Sequence, residues 1–328
     1  MAVRGNRPRI VHLPDHTTLP ASFKRVYNRF IILILSVVDG EESQSYSKDK
    51  PPKIMTWLIA FLVFDLIVAI LMAVLIGRGS KNWNESRRVE IETLNAGAQT
   101  LEKTFEVSSI AEFPAPVRRY LTKVVKPGTP YVSRLHLKQT GQMRFNQRWI
   151  KIEADQYYSV VPTAFSWVAR MKLGPAWVAA RDRYSNGKGN MLISILSTFP
   201  LFDVRGPKMD HASLLRYLSE LPVLPTAILA GNITWKAIDD QTAGATISDS
   251  GITASGIFRF NSEDEIVAFI SSGRFRNDTG KMTPWSGTWS HYQEFNGFRI
   301  PTEGNAVWNA PEGDFEYIRL KVEKAEFI

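Results

Sequence analysis

At 328 residues, with 44% hydrophobic and 11% aromatic side chains, the chain has the composition of a protein that packs a core, in one large domain or two small ones. The absence of cysteine excludes disulfides, thiolate nucleophiles and Cys-ligated zinc or iron–sulfur clusters. The formal charge of +8 is evenly spread, with 10 Lys+Arg against 6 Asp+Glu in residues 1–78 and 30 against 26 in residues 79–328, so the body of the chain lacks the concentrated basic stripe that a nucleic-acid partner requires.

Residues 1–53 are rich in Pro, Ser, Thr and charge and show no sustained period. They read as a disordered N-terminal extension, or as an upstream extension of the reading frame with Met55 as the start. Within them, 30–38 is an apolar run too short to span a membrane. It follows Lys24, Arg25 and Arg29 and could lie at an interface. Residues 54–77 are apolar on all sides except for Asp65. As a helix they reach about 36 Å, enough to cross a hydrocarbon core of ~30 Å. A cleaved signal would have a shorter apolar core and a small-x-small exit. This run leaves through Leu75-Ile76-Gly77-Arg78, so it is expected to stay as the transmembrane helix of a single-pass protein. Asp65 marks either a functional position or a helix contact. Lys48, Lys50 and Lys53 before the span nearly balance Arg78, Lys81, Arg87 and Arg88 after it, so local charge leaves the orientation open.

After the span, 80–112 reads as a helical connector, with Val89, Leu94, Leu101 and Phe105 spaced as a helix over 86–107. Pro116 opens a short helix over 116–126 that Pro127-Gly128 closes. Beyond Thr129 the period falls to two, and residues 113–328 form one β-rich domain. Strands are expected at 132–139, 143–153, 156–161, 164–172, 176–184, 190–196, 232–238, 243–248, 253–260, 265–272, 284–295, 299–308 and 315–327, with a hairpin turn at 185–189. The interruption at 209–230 is helical, with Asp210 as its N-cap, Leu214, Leu215, Leu218 and Leu221 on one face, and Pro222 and Pro225 ending it. The expected fold is α+β, mainly β: one N-terminal transmembrane helix, then a large antiparallel sheet that curls into a half-barrel with helices inserted in its hollow.

Several motifs carry a resemblance. Arg118-Arg119-Tyr120-Leu121, Phe165-Ser166-Trp167-Val168-Ala169, Asp182-x-Tyr184-x-x-Gly187-x-Gly189-x-Met191, Leu215-Arg216-Tyr217-Leu218-x-Glu220, Pro225-Thr226-Ala227-Ile228-Leu229, Pro284-Trp285-x-Gly287 and Gly297-x-x-Ile300-Pro301 resemble an uncharacterised bacterial membrane-anchored family, a domain of unknown function. They span about 113–327, and the family supplies no activity and no catalytic residues. In architecture alone the domain is also similar to the LolA and LolB lipoprotein carrier fold. That likeness implies a bacterial inner-membrane protein with an extracytoplasmic C-terminal domain.

No H-E-x-x-H, G-x-S-x-G or Walker loop is present, and Gly187-x-Gly189 lacks a third glycine. The residues pick out neither a cofactor nor a metal. Trp167, Trp177, Trp285 and Trp289 suit either a packed sheet core or a ligand cavity. Arg216 and Glu220, one helical turn apart, form either an exposed pair or a polar pair facing the hollow that orients a ligand head. His291 alternates with Trp285 and Trp289 on one strand face, and His211 stands beside Asp210. Asp182 and Tyr184 share another face. Two readings follow: a membrane-tethered module for a lipid, acyl or other apolar ligand, lined by Trp167, Trp177, Asp182, Tyr184, Arg216, Glu220, Trp285, Trp289 and His291, or a hydrolase-type enzyme using Arg216, Glu220 and His291. A third is a structural partner in a membrane complex whose hollow is solid core.

Overall fold

The computed structural model describes residues 53–145 and 148–328. The expectations for 1–52, disorder and an interfacial piece at 30–38, lie outside the described residues. The chain divides after Asp65 into two compact units, and the described part of the first is the start of one helix. That helix, α1 (Lys53–Gly97), is 45 residues long. Its most apolar window has a mean hydropathy of 3.1 and none of it is buried, so α1 is long and apolar enough to cross a membrane.

A separate connector helix over 86–107 was expected, but α1 runs unbroken to Gly97. Gly77 and Gly79 each cost a helix only about 1 kcal/mol, too little to interrupt good helix formers on both sides. Past Gly97 the sheet takes over the backbone: Gln99 N–H donates to Val161 O at 2.8 Å and Leu101 N–H to Ser133 Oγ at 2.9 Å. The C-terminal half of α1 lies on the outer face of the sheet. There Arg87 pairs with Asp155 at 2.7 Å, and Glu90 pairs with Arg181 and Arg183, both at 3.3 Å.

Among the described residues, thirteen strands form one antiparallel sheet. They are β1 (Arg134–Phe145), β2 (Arg148–Ser159), β3 (Ala164–Leu173), β4 (Ala176–Ser185), β5 (Lys188–Ile195), β6 (Phe199–Val204), β7 (Ile233–Asp239), β8 (Thr242–Asp249), β9 (Ile252–Phe260), β10 (Ile266–Arg276), β11 (Lys281–Phe295), β12 (Phe298–Ala310) and β13 (Gly313–Phe327). Neighbours in sequence are neighbours in the sheet, except that β1 pairs with β13 and β6 and β7 are the two edges.

Between β6 and β7 lie α3 (Pro207–Ser219) and two short 3-10 helices, Leu221–Val223 and Pro225–Leu229; α2 (Ala115–Val124) precedes β1. Two single strands replace the three expected at 132–139, 143–153 and 156–161. Gly141 reads as a break, yet it sits in mid-strand because a Cβ there would collide with the Arg319 backbone on β13. Strand β6 was not expected, since Pro200 and the lack of alternation hide it.

The sheet curls until its two wings meet around α3, which packs on β4 and β5 on one side and on β8, β9 and β10 on the other. Tyr184 on β4 closes the ring by donating its hydroxyl to Asp249 on β8 at 2.7 Å. Asp210 is not the N-cap of α3. Gly206 occupies that position, and Asp210, inside the first turn, accepts the Gly189 N–H at 2.8 Å and so fastens α3 to β5.

Candidate functional site: the hollow of the sheet

Strand register sorts the side chains by face. One inward row runs Asp182, Trp167, Gln156 and Leu137 across β4, β3, β2 and β1, and the next toward α2 runs Tyr184, Phe165, Tyr158 and Leu135. These rows are buried.

Arg216 projects from α3 onto them. Its guanidinium carbon stands 5.1 Å from the centroids of both the Phe165 and Trp167 rings. Nη1 donates to Asp182 Oδ2 at 2.8 Å and Nε to Glu220 Oε1 at 3.0 Å. Glu220 Oε2 accepts from Gln156 Nε2 at 2.8 Å and from the Tyr158 hydroxyl at 2.9 Å. Burial alone would weaken the hold of Arg216 on its proton, but the Glu220 and Asp182 carboxylates more than reverse this, and its pKa is raised. Burial, then Glu220, pushes the Tyr158 hydroxyl well up, keeping it a neutral donor.

Of the two placements the spacing allowed, the Arg216–Glu220 pair takes the one facing the hollow, with 13% and 11% of its side chains exposed. It does not present a free positive charge, because two carboxylates face one guanidinium and the cluster carries a formal −1.

Past these rows, toward the β3–β4 and β5–β6 turns, the inner face is less deeply buried. Met143, Ile150, Ile193, Ile195, Trp289 and Leu320 are only half-buried there and pack against the core as an apolar lip. Trp289 lies over Gly304, its direct partner on β12, where a Cβ would come within 2.8 Å of the indole.

Trp167 and Trp285 are enclosed, at 3% and 4% exposure. The Trp167 N–H donates to Gln139 at 3.1 Å and that of Trp285 to the Tyr317 hydroxyl at 3.2 Å. Both stand on the inner face as packed wall.

Two expected members stand elsewhere. Trp177 alternates with Asp182 and Tyr184 to the opposite, outer face of β4, where its N–H meets Ser197 Oγ at 2.9 Å. His291 has a φ of 56°, and this left-handed step breaks the alternation: Tyr292 turns inward in its place, while His291 pairs with Glu303 at the surface. The Arg216, Glu220 and His291 grouping is therefore not assembled. Asp182 and Tyr184 share the inner face but serve different partners, Arg216 and Asp249. Among the described residues no group of three or more His, Asp or Glu is arranged to hold a metal.

Sequence reading missed Gln156 and Tyr158, which nothing but inward parity distinguishes, and it missed Arg274. Arg274 follows Gly273 at an irregularity in β10 that aims it inward. A glycine ahead of an arginine at the end of an apolar run was the available signal.

The fold is thus an incurved antiparallel half-barrel with a helix across its hollow. The chain belongs to a family of unknown function, DUF6544, whose model matches residues 103–320. No curated protein matches. Solved structures to which the chain is similar include a putative outer membrane lipoprotein-sorting protein domain from Vibrio parahaemolyticus, at 8% identity over 60% of this chain and 85% of that one with a TM-score of 0.33. A LolA superfamily protein from Nitrosomonas europaea matches at 8% identity over 65% and 92%, with a TM-score of 0.34. A DUF1329 family protein from Desulfovibrio piger matches at 9% identity over 65% and 92%, with a TM-score of 0.30. The architectural likeness expected from the sequence is found among these neighbours, and it concerns the fold alone.

Proposed function

We propose that the chain is a membrane-tethered binding module that takes an apolar or amphipathic ligand, of lipid or acyl type, in the hollow of its sheet. The observation that carries this reading is the inner face left half-covered: Met143, Ile150, Ile193, Ile195, Trp289 and Leu320 are on the inner face and only half-buried. Apolar surface on the concave side of a curled sheet is costly in water, at roughly 25 cal/mol per Å², and a bound chain relieves that cost.

Tethering fits the same end of the molecule. The Gly79 backbone, two residues beyond the apolar run, lies against Thr198 in the β5–β6 turn, and the edge strand that follows exposes Phe199, Leu201 and Phe202. An edge strand with three exposed large apolar side chains suits a surface held at a bilayer better than one held in water.

Organic extraction of the full chain, purified from membranes and analysed by mass spectrometry, tests the reading. A lipid or acyl compound at near one per protein, lost in Ile193→Arg, is the expected result. No extractable compound, together with no uptake of a fluorescent fatty acid, contradicts it.

A further inference from the structure

Arg274 is 7% exposed, and among the described residues no carboxylate lies within ion-pair distance of it. Its partners are neutral: Nε donates to the Ala212 carbonyl of α3 at 3.2 Å and Nη1 to the Tyr317 hydroxyl at 3.3 Å, while its guanidinium carbon stands 4.9 Å from the Trp285 ring and 5.6 Å from that of Trp308. A charge withdrawn from water without a counter-ion costs several kcal/mol, and chains rarely keep one without use for it. The contrast with Arg216 is direct: that guanidinium has two carboxylates, and this one has none.

One neighbour of Arg274 is also short of a partner. His211, one residue before Ala212 on α3, is half-buried, and its Nδ1 is sealed from solvent with no hydrogen-bond partner. Burial, then the Arg274 charge, lowers the His211 pKa, so the imidazole is neutral and free to donate one hydrogen bond. Tyr317 stacks on Trp308 with ring centroids 5.7 Å apart, and Trp308 is half-exposed. Arg276 also lies over Trp308, 5.6 Å from its centroid, but is paired with Asp278. A guanidinium, a neutral imidazole and a phenol thus gather beside an aromatic wall. The lip is close by: Trp289 lies four residues further along β11 from Trp285 on the same face, about 13 Å away.

We propose that Arg274 receives the anionic head, a carboxylate or phosphate, of an amphipathic ligand whose apolar chain lies along the lip, with His211 and Tyr317 as further donors. This rests on the reading that the hollow takes an apolar ligand and names the class of that ligand. A charge-assisted, two-pronged bond to guanidinium discriminates sharply against a neutral head of the same shape.

The test uses the full chain in detergent and two probes, cis-parinaric acid and its methyl ester, read by energy transfer from the protein's tryptophans. The acid should bind at least tenfold more tightly than the ester. Arg274→Gln should weaken the acid by tenfold or more and leave the ester unchanged, and Arg274→Lys, which keeps the charge, should retain part of the preference. Without probe, the melting temperature of Arg274→Gln should stay within a few degrees of the parent, because the arginine is unpaired; a large drop would mark a structural role and overturn the proposal. Equal binding of acid and ester to the parent overturns the anionic head while leaving the hollow reading in place. Binding of neither probe removes both.

Discussion

Replacing Arg216 with methionine strands Asp182 and Glu220 in a buried setting without a counter-charge. Both carboxylates and the guanidinium are exposed by no more than 13%, so solvent screening offers little relief. Removing one partner of a buried ionic cluster typically costs about 3–5 kcal/mol, here including two charge-assisted hydrogen bonds and contact with two aromatic faces. For a domain of this size that is a fall in Tm of roughly 6–20 °C. The triple variant Arg216→Met, Asp182→Asn, Glu220→Gln removes all three charges and should recover most of the loss. Thermal and urea unfolding of the full chain in one detergent measure all of this. If Arg216→Met melts with the parent, or if the triple variant is no better than the single, the buried cluster is not the fastening described here.

Trp285→Ala should cost about 3–5 kcal/mol by urea unfolding, as for a packed core residue, whereas Ile195→Ala on the half-covered lip should cost clearly less; equal losses would show that the hollow is solid. The Asp155 carboxyl is held below its usual pKa first by the hydrogen bond from His136 and also by Arg87. Its contribution is therefore fully present above the unfolded value near 3.8 and lost as pH falls through the lower folded value. Hydrogen exchange over 86–94 should accordingly rise only below about pH 3.8, and a rise already at pH 5 would contradict this. Because the chain has no cysteine, Leu201→Cys can carry a single nitroxide. In nanodiscs it should be more accessible to oxygen than to a polar nickel reagent, and Glu112→Cys should show the reverse; identical behaviour at the two sites would place β6 in water.

Much of the fold was legible because period is a local property. Strict alternation in 164–172 and the Ser185–Gly189 turn mark β3 to β5 without reference to the rest of the chain. The failures have physical causes that one sequence does not display. Gly141 looks like a break, but its role is set by the Arg319 backbone on a strand nearly 180 residues away. By alternation alone His291 continues the Trp285–Trp289 face, and its left-handed backbone turns it outward.

The site was legible in part. The spacing of Arg216 and Glu220 puts them on one helix face, but Asp182, the second carboxylate on Arg216, comes from another element, and helix spacing alone does not show it. Arg274 was overlooked because its significance lies in partners it lacks, which only packing reveals.

The central claim, an apolar ligand held in the hollow, is tested most directly by a diazirine-bearing fatty acid photolysed on the full chain in nanodiscs, with labelled peptides mapped by mass spectrometry. The account expects label on β5 around Ile193 and Ile195 and on β1 and β2 around Met143 and Ile150, competed by unlabelled fatty acid. Label confined to α1, with none on these strands, would contradict it.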